Sequence, residues 1–164
     1  MQERGYTAVG VAELCDEAGV NKGSFYHQFP SKRELALEVI DSFWAESSAL
    51  LDGVMTGDRP PLERVRGFFD QVHAHHREHR GRCGRVVGCP LGNLAQEMST
   101  QDPVLRERLG EIFDLYVDRF ERVVAEAVGR GDLPAQDARR SARSLIALLE
   151  GAILLAKTRD DPET

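Results

Sequence analysis

The stretch from Val11 to Pro30 constrains the fold more than any other part of the chain, because one glycine divides it into two short helical segments. Val11, Leu14, Cys15 and Ala18 follow the i, i+3, i+4, i+7 spacing of a single apolar helix face, and Gly19 then suits the left-handed position that ends a helix. Asn21 is a good N-cap, so the spacing predicts a second helix over Lys22 to Phe29, closed by Pro30. Two short helices joined by "AGV" have the dimensions of a helix-turn-helix, whose second helix enters the major groove of DNA.

Helical spacing continues to the end of the chain. Ser31, with Glu34 in the capping-box position, opens a long helix carrying Leu35, Val39, Ile40, Phe43 and Trp44, and "TGDRPP" at 56–61 breaks it. Leu62, Val65, Phe69, Val72 and His76 share the next helix face, with Phe68, His75 and His79 beside it. "RGRCGRVVGCP" reads as a Gly-rich loop, after which Leu91, Leu94 and Met98 resume the helical period. Asp102 and Pro103 suit Ncap and N1 of a long helix with Leu105, Leu109, Ile112, Tyr116, Phe120, Val123 and Ala127, which stops at "GRGDLP". A last helix, about Ala135 to Lys157, carries Ala142, Leu145, Ile146, Leu149, Ala152, Ile153 and Ala156. No run alternates with period two for long enough to make a sheet, so the expectation is an all-α protein.

Composition limits what such a protein binds. The formal net charge of −6 argues against indiscriminate coating of nucleic acid, which runs on excess Lys and Arg. Any such contact is therefore local. Residues 21–34 hold Lys22, Lys32 and Arg33 against Glu34, a balance of +2, whereas residues 1–20 hold Arg4 against Glu3, Glu13, Asp16 and Glu17. The most apolar stretch, Leu145 to Ala156, is interrupted by Glu150 and is shorter than the ~20 residues of a bilayer helix. The first residues lack a signal-peptide pattern, which makes the cytoplasm the expected compartment. The 3 Cys do not form a disulfide framework.

On the second short helix, Lys22 can reach a guanine edge or a phosphate, Gly23 lets the backbone approach, and Ser24 can donate to a base or phosphate oxygen. Tyr26, His27 and Gln28 add polar tips, while Phe25 and Phe29 form the buried side. Lys32, at the start of the next helix, is placed for a phosphate. The plain alternative is a helical hairpin with a solvated cationic face.

"GYTAVGVAELCDEAGVNKGSFYHQFPSKRELALEVI" resembles the DNA-binding domain of TetR-family transcriptional regulators, with the "AGV.KG..Y..F..K..L" spacing intact. The resemblance implies an all-helical homodimer with a helix-turn-helix domain, placed at 1–44, and a larger helical effector-binding and dimerisation domain at 45–164. Lys22, Gly23, Ser24, Tyr26, His27 and Gln28 would face operator DNA, and Lys32 would clamp a phosphate. The family usually has a full helix before "RGY", where this chain has Met1-Gln2-Glu3-Arg4; either the start is trimmed or one wall of the domain is missing. Val9-Gly10 stands where Thr-Ser is common, and Gln28 where His is frequent. "GCPLGNLAQEMS" and "GRGDLPAQDARRSARSLIALLEGAILLA" resemble the family more loosely, and imply that the last two long helices pair with their copies. The breadth of the last apolar face and the small Ala142, Gly151 and Ala152 agree, which puts Ile146 and Ile153 in the expected interface.

The regulator reading also needs an effector site. Phe68, Phe69, Val72 and His76 on one helix, Leu94 and Met98 on the next, and Phe113 and Tyr116 on the long helix can converge on a space for a small apolar molecule. His76, Asn93, Tyr116 or Arg119 would supply its polar contacts. Three other readings compete. His75 and His79 with Cys83 or Cys89 invite a metal site or metal-dependent enzyme, but no CxxC or HExxH frame supports it and no cofactor motif appears, so no metal or cofactor is expected. Cys89, ahead of Pro90 and a helix start, would be a redox or electrophile sensor if the positive helix end lowered its pKa, the commoner outcome being a passive pocket or core thiol. The third alternative is a dimeric ligand-binding protein without DNA function.

Overall fold

Caps fix the start of nearly every helix. In this computed structural model, which describes residues 4–164, α1 (Val11–Ala18) ends at Gly19, whose φ of 65° closes the turn so that Val20 N–H reaches the Cys15 carbonyl. Gly10 begins α1 without a side-chain cap. α2 (Lys22–Gln28) starts on Asn21, whose side chain accepts the Ser24 N–H, and α3 (Lys32–Met55) on Ser31, which accepts the Glu34 N–H. α4 (Pro61–Cys83) and α5 (Pro90–Met98) each place proline in the first turn, where its missing N–H costs nothing. α6 (Pro103–Gly129) and α7 (Ala138–Arg159) are capped by Asp102 and Asp137. The described residues contain no strand, as the periodicity predicts.

Two differences in extent have clear causes. The Gly-rich segment after Arg80 is not wholly loop, because α4 runs on to Cys83 and turns at Gly84, φ 76°. Val86 and Val87 then dive into the interior, both 5% exposed, which anchors the connection to α5. The long helix after Pro30 is likewise unbroken to Met55, so residues 44 and 45 lie within α3. The expectation of a shortened first helix at Met1-Gln2-Glu3-Arg4 falls mostly on residues 1–3, which lie outside the described residues.

The interior has two adjoining parts. Leu51, Met55, Phe68, Phe120, Ile146, Leu149 and Ile153 join the end of α3 to α4, α6 and α7. Ala36, Ile40, Leu91, Met98, Leu105, Leu109 and Ile112 join the start of α3 to α5 and the first half of α6. Trp44, Cys89, Phe113 and Tyr116 pack against both, with the Trp44 and Tyr116 rings edge-on at 4.9 Å. Removing a fully buried ring such as Phe120 would cost about 3–5 kcal/mol. α6 and α7 make the most extensive helix pair. No helix among the described residues is long and apolar enough to cross a membrane.

Candidate DNA-binding and effector sites

Phe25 sets the orientation of α2. It is 6% exposed and packs edge-on to Tyr26 and at 5.8 Å from Phe29, holding one face of a seven-residue helix inward. Lys22, Gly23, Ser24, Tyr26, His27 and Gln28 are consequently all exposed, and Tyr26 keeps 52% of its surface accessible. Their donors and acceptors, with no acidic side chain on α2, make a face suited to phosphates and base edges.

Lys32 has a different setting. Its ammonium donates to the Tyr6 carbonyl at 2.8 Å and the Val9 carbonyl at 2.9 Å, and lies 4.2 Å from the centre of the Tyr6 ring. An ammonium has three donors, so two are spent on tying the segment before α1 to α3. The same segment is gripped from α5. Glu97 accepts the backbone N–H groups of Tyr6 at 2.7 Å and Thr7 at 2.6 Å, while the Thr7 hydroxyl contacts the Met98 sulfur. Burial pushes the Glu97 carboxyl up, but the Thr7 and Tyr6 hydrogen bonds and Lys32 outweigh it and hold it below the ordinary value. Periodicity could not reveal this tie, because it joins residues about ninety positions apart.

The opposite end of α5 borders a cavity of about 420 Å³ enclosed by α3, α4, α5, α6 and α7. Of the residues expected around an effector, Phe68, Val72, His76, Phe113 and Tyr116 line it. The other expected residues lie elsewhere, for specific reasons. Phe69 packs edge-on against Phe120 in the core, and Met98 is buried beside Leu94 in the second core region. Asn93 is turned away to donate to the Val87 carbonyl and accept from Lys157. Arg119 is engaged by Asp52 at 2.7 and 3.1 Å and stacks over Trp44.

The cavity's polar wall is not visible in helical periodicity. Glu150, one turn from Ile146 on α7, reaches in beside Cys89, and an added Cβ at Gly92 would collide with its carboxylate. Burial pushes the Glu150 carboxyl up, partly offset by the Cys89 thiol. Tyr116 is pushed up to about 12 by burial against a hydrogen bond with Ser47, so its hydroxyl stays protonated. Burial and the neighbouring His75, His79 and His73 push His76 down, favouring the neutral ring.

At Cys89 the surroundings favour the passive thiol over the sensor alternative. The start of α5 does aim an N–H at it, from Gly92 at 3.4 Å, but burial first and the Glu150 charge second push the thiol up to about 12. Desolvation overwhelms the helix end, and the thiolate needed for sensing is suppressed. The histidine and cysteine cluster is dispersed as well. His79 Nε2 lies 3.7 Å from Cys83 Sγ, yet among the described residues no group of three or more His, Cys, Asp or Glu side chains converges as a metal site.

The exposed apolar face of α7 is not the one expected. Ile146 and Ile153, each 8% exposed, belong to the protomer's own core. Leu148, Leu154 and Leu155 on the outer side of α7 are instead 62%, 45% and 53% exposed, with Ala147 and Ala152 among them. Ile146 and Leu148, like Ile153 and Leu155, are two positions apart and so about 160° apart around the helix, and the apolar residues of α7 are spread over two nearly opposite faces.

Known proteins share this fold. A family model described as "Bacterial regulatory proteins, tetR family" matches residues 1–39, and one described as "Tetracyclin repressor-like, C-terminal domain" matches residues 61–164. The chain is 36% identical to "Transcriptional regulator AcuR" of Cereibacter sphaeroides, over 99% of this chain and 74% of that protein. It is 29% identical to "HTH-type transcriptional repressor DhaR" of Mycobacterium sp. (strain GP1), over 98% and 78%. The crystal structure of regulatory protein TetR from Rhodobacter sphaeroides superposes with a TM-score of 0.86 at 34% identity, covering 99% of this chain and 85% of that one. The reduced form of E. coli NemR gives 0.85 at 25% identity, covering 99% and 83%. With a helix-turn-helix over α1 and α2, a larger helical domain behind it and both family models matched, this chain belongs to the TetR family of transcriptional regulators.

Proposed function

We propose that this regulator is a cytoplasmic homodimeric repressor, released from its operator when a small, largely apolar molecule occupies the cavity between α3 and α7. The helix-turn-helix part is taken as 1–44 and the effector and dimerisation part as 45–164. Lys22, Gly23, Ser24, Tyr26, His27 and Gln28 are assigned to the DNA face. Lys32 supports it chiefly by holding the segment before α1, with its remaining N–H available to a phosphate. The effector is bordered by Phe68, Val72, His76, Phe113 and Tyr116.

The observation that carries this reading is the double attachment of α5. Its first turn borders the cavity through Cys89, Pro90 and Leu91, and its last turn holds Tyr6 and Thr7 through Glu97. A displacement of α5 by cavity contents is therefore transmitted to the helix-turn-helix without crossing a flexible joint. Each dimer reads two half-sites, so a ligand that prefers the wrong spacing weakens DNA binding by its differential affinity for the two states. The exposed leucines of α7 supply the apolar surface for the second copy.

The test is fluorescence anisotropy on a duplex enriched by this protein from a random pool, titrated with a panel of hydrophobic compounds. Compounds that raise thermal stability should release the duplex. Stabilisation without release would overturn the coupling, and failure to enrich any sequence would overturn the DNA reading.

A further inference from the structure

The cavity's charge is one-sided. Its acidic lining residues are Glu46 and Glu150, it has no Lys or Arg in its wall, and its other ionisable polar groups are histidines, Cys89 and Tyr116. Glu150 is the deeper carboxylate, pressed against the Gly92 backbone. An ionised carboxylate accepts up to about four hydrogen bonds, yet the partner recorded for Glu150 is the Cys89 thiol, a weak donor. The start of α5 cannot substitute, because its Leu91 and Gly92 N–H groups are directed to the Cys89 sulfur. Around this carboxylate the wall is aromatic and aliphatic, with Phe43, Phe68, Phe113, Tyr116 and Val72.

A half-buried carboxylate with spare acceptor capacity, set among ring faces, is suited to a partly desolvated ammonium, which gains from both the charge and the rings. A carboxylate ligand would meet two like charges and no Lys or Arg, with only the histidine rings to face it. The cavity, about 420 Å³ and partly open to solvent, has room for a small apolar body on the rest of the molecule. We propose that the cavity selects an apolar molecule bearing one amine or ammonium group, with Glu150 as its counter-ion and the Phe113 and Tyr116 rings beside it. This rests on the effector-cavity reading above and names the ligand class for it.

Three probes of one shape, 4-phenylbutylamine, 4-phenylbutanol and 4-phenylbutyrate, separate the possibilities by calorimetric titration of the full chain. The amine should bind wild-type protein at least about tenfold more tightly than the alcohol, with the carboxylate weakest. Glu150→Gln should bring the amine to within about twofold of the alcohol. The wild-type ranking stands without the variant, so a misfolded substitution does not remove the test. Equal binding of amine and alcohol, tighter binding of the carboxylate, or a preference that survives in Glu150→Gln would overturn the amine assignment while leaving the cavity reading intact. No binding of any probe would overturn both.

Discussion

Glu97 accepts the backbone N–H of Tyr6 at 2.7 Å, joining the last turn of α5 to the segment that leads into α1. The bond is matched by a second from Thr7 at 2.6 Å and opposed across the segment by Lys32, which holds the Tyr6 and Val9 carbonyls. The segment is thus held by an anion at its N–H groups and a cation at its carbonyls. Its position relative to α5 and α3 is fixed by charge-assisted hydrogen bonds rather than by apolar packing alone.

Glu97→Ala should loosen this segment. Loss of both acceptors is expected to cost about 1–3 kcal/mol, toward the lower figure because the site is accessible to water. Burial raises the Glu97 carboxyl but its hydrogen bonds and Lys32 lower it further, so the folded pKa lies below the unfolded one. The stabilisation is then complete above the unfolded value, about 4.3, and is lost as pH falls through the folded value. Denaturant titrations should show a wild-type advantage that is constant from pH 6 to 8 and shrinks below about pH 4. An advantage that grows on acidification would contradict the geometry.

The two faces of α7 should separate by substitution. Leu148→Glu and Leu155→Glu alter exposed positions and are expected to give a folded monomer, seen by sedimentation with helical content retained. Ile153→Glu puts a charge into the protomer's core and should destabilise it by about 2 kcal/mol or more. A wild type that sediments as a monomer at micromolar concentration, or Leu148→Glu and Leu155→Glu proteins that remain dimeric, would refute the interface.

Local chemistry made much of this fold readable. Asn21, Ser31 and Asp102 cap the helices they were expected to cap, Gly19 ends α1 in the left-handed conformation, and the apolar spacing marks each helix. The face of α2 was legible for the same reason: in a short helix, burying Phe25 determines where its neighbours point. The cavity was only half legible. Phe68 and Tyr116 follow from helical phase, but Glu150 looked like an interruption of an apolar run and its meaning depends on which helix stands opposite. Asn93 and Arg119 were misplaced because long-range partners, Val87 and Asp52, claim their side chains. The helix end beside Cys89 is visible in sequence, but the desolvation that outweighs it depends on all the surrounding helices.

On the DNA face, contacts to bases and to phosphates should respond differently. Lys22→Ala or Gln28→Ala should change sequence preference, costing about 1–3 kcal/mol wherever a base contact is lost. Tyr26→Phe should weaken all duplexes alike if its hydroxyl meets a phosphate. Lys32→Ala should also weaken all of them, but with a fall in thermal stability, because it removes the tie to Tyr6 and Val9. Binding by variants at all four positions indistinguishable from wild type would remove α2 as the recognition element.

The cysteines offer the sharpest chemical contrast. Cys83 is exposed at the end of α4, whereas Cys89 sits in the cavity wall with its thiol pushed up to about 12. At pH 8 only about one Cys89 in ten thousand is then a thiolate, the species that reacts with alkylating reagents. Iodoacetamide should therefore modify Cys83 first, and Cys83→Ser should leave a protein whose remaining alkylation is slow and accelerates only on unfolding. Glu150→Gln removes the negative charge beside Cys89, which favours the thiolate, so alkylation at Cys89 should quicken; burial, the larger influence, persists and keeps it slower than an exposed thiol. Peptide mapping after timed alkylation distinguishes the sites. Rapid modification of Cys89 in the folded wild-type protein, coupled to loss of DNA binding, would restore the electrophile-sensor reading in place of a reversible cavity ligand.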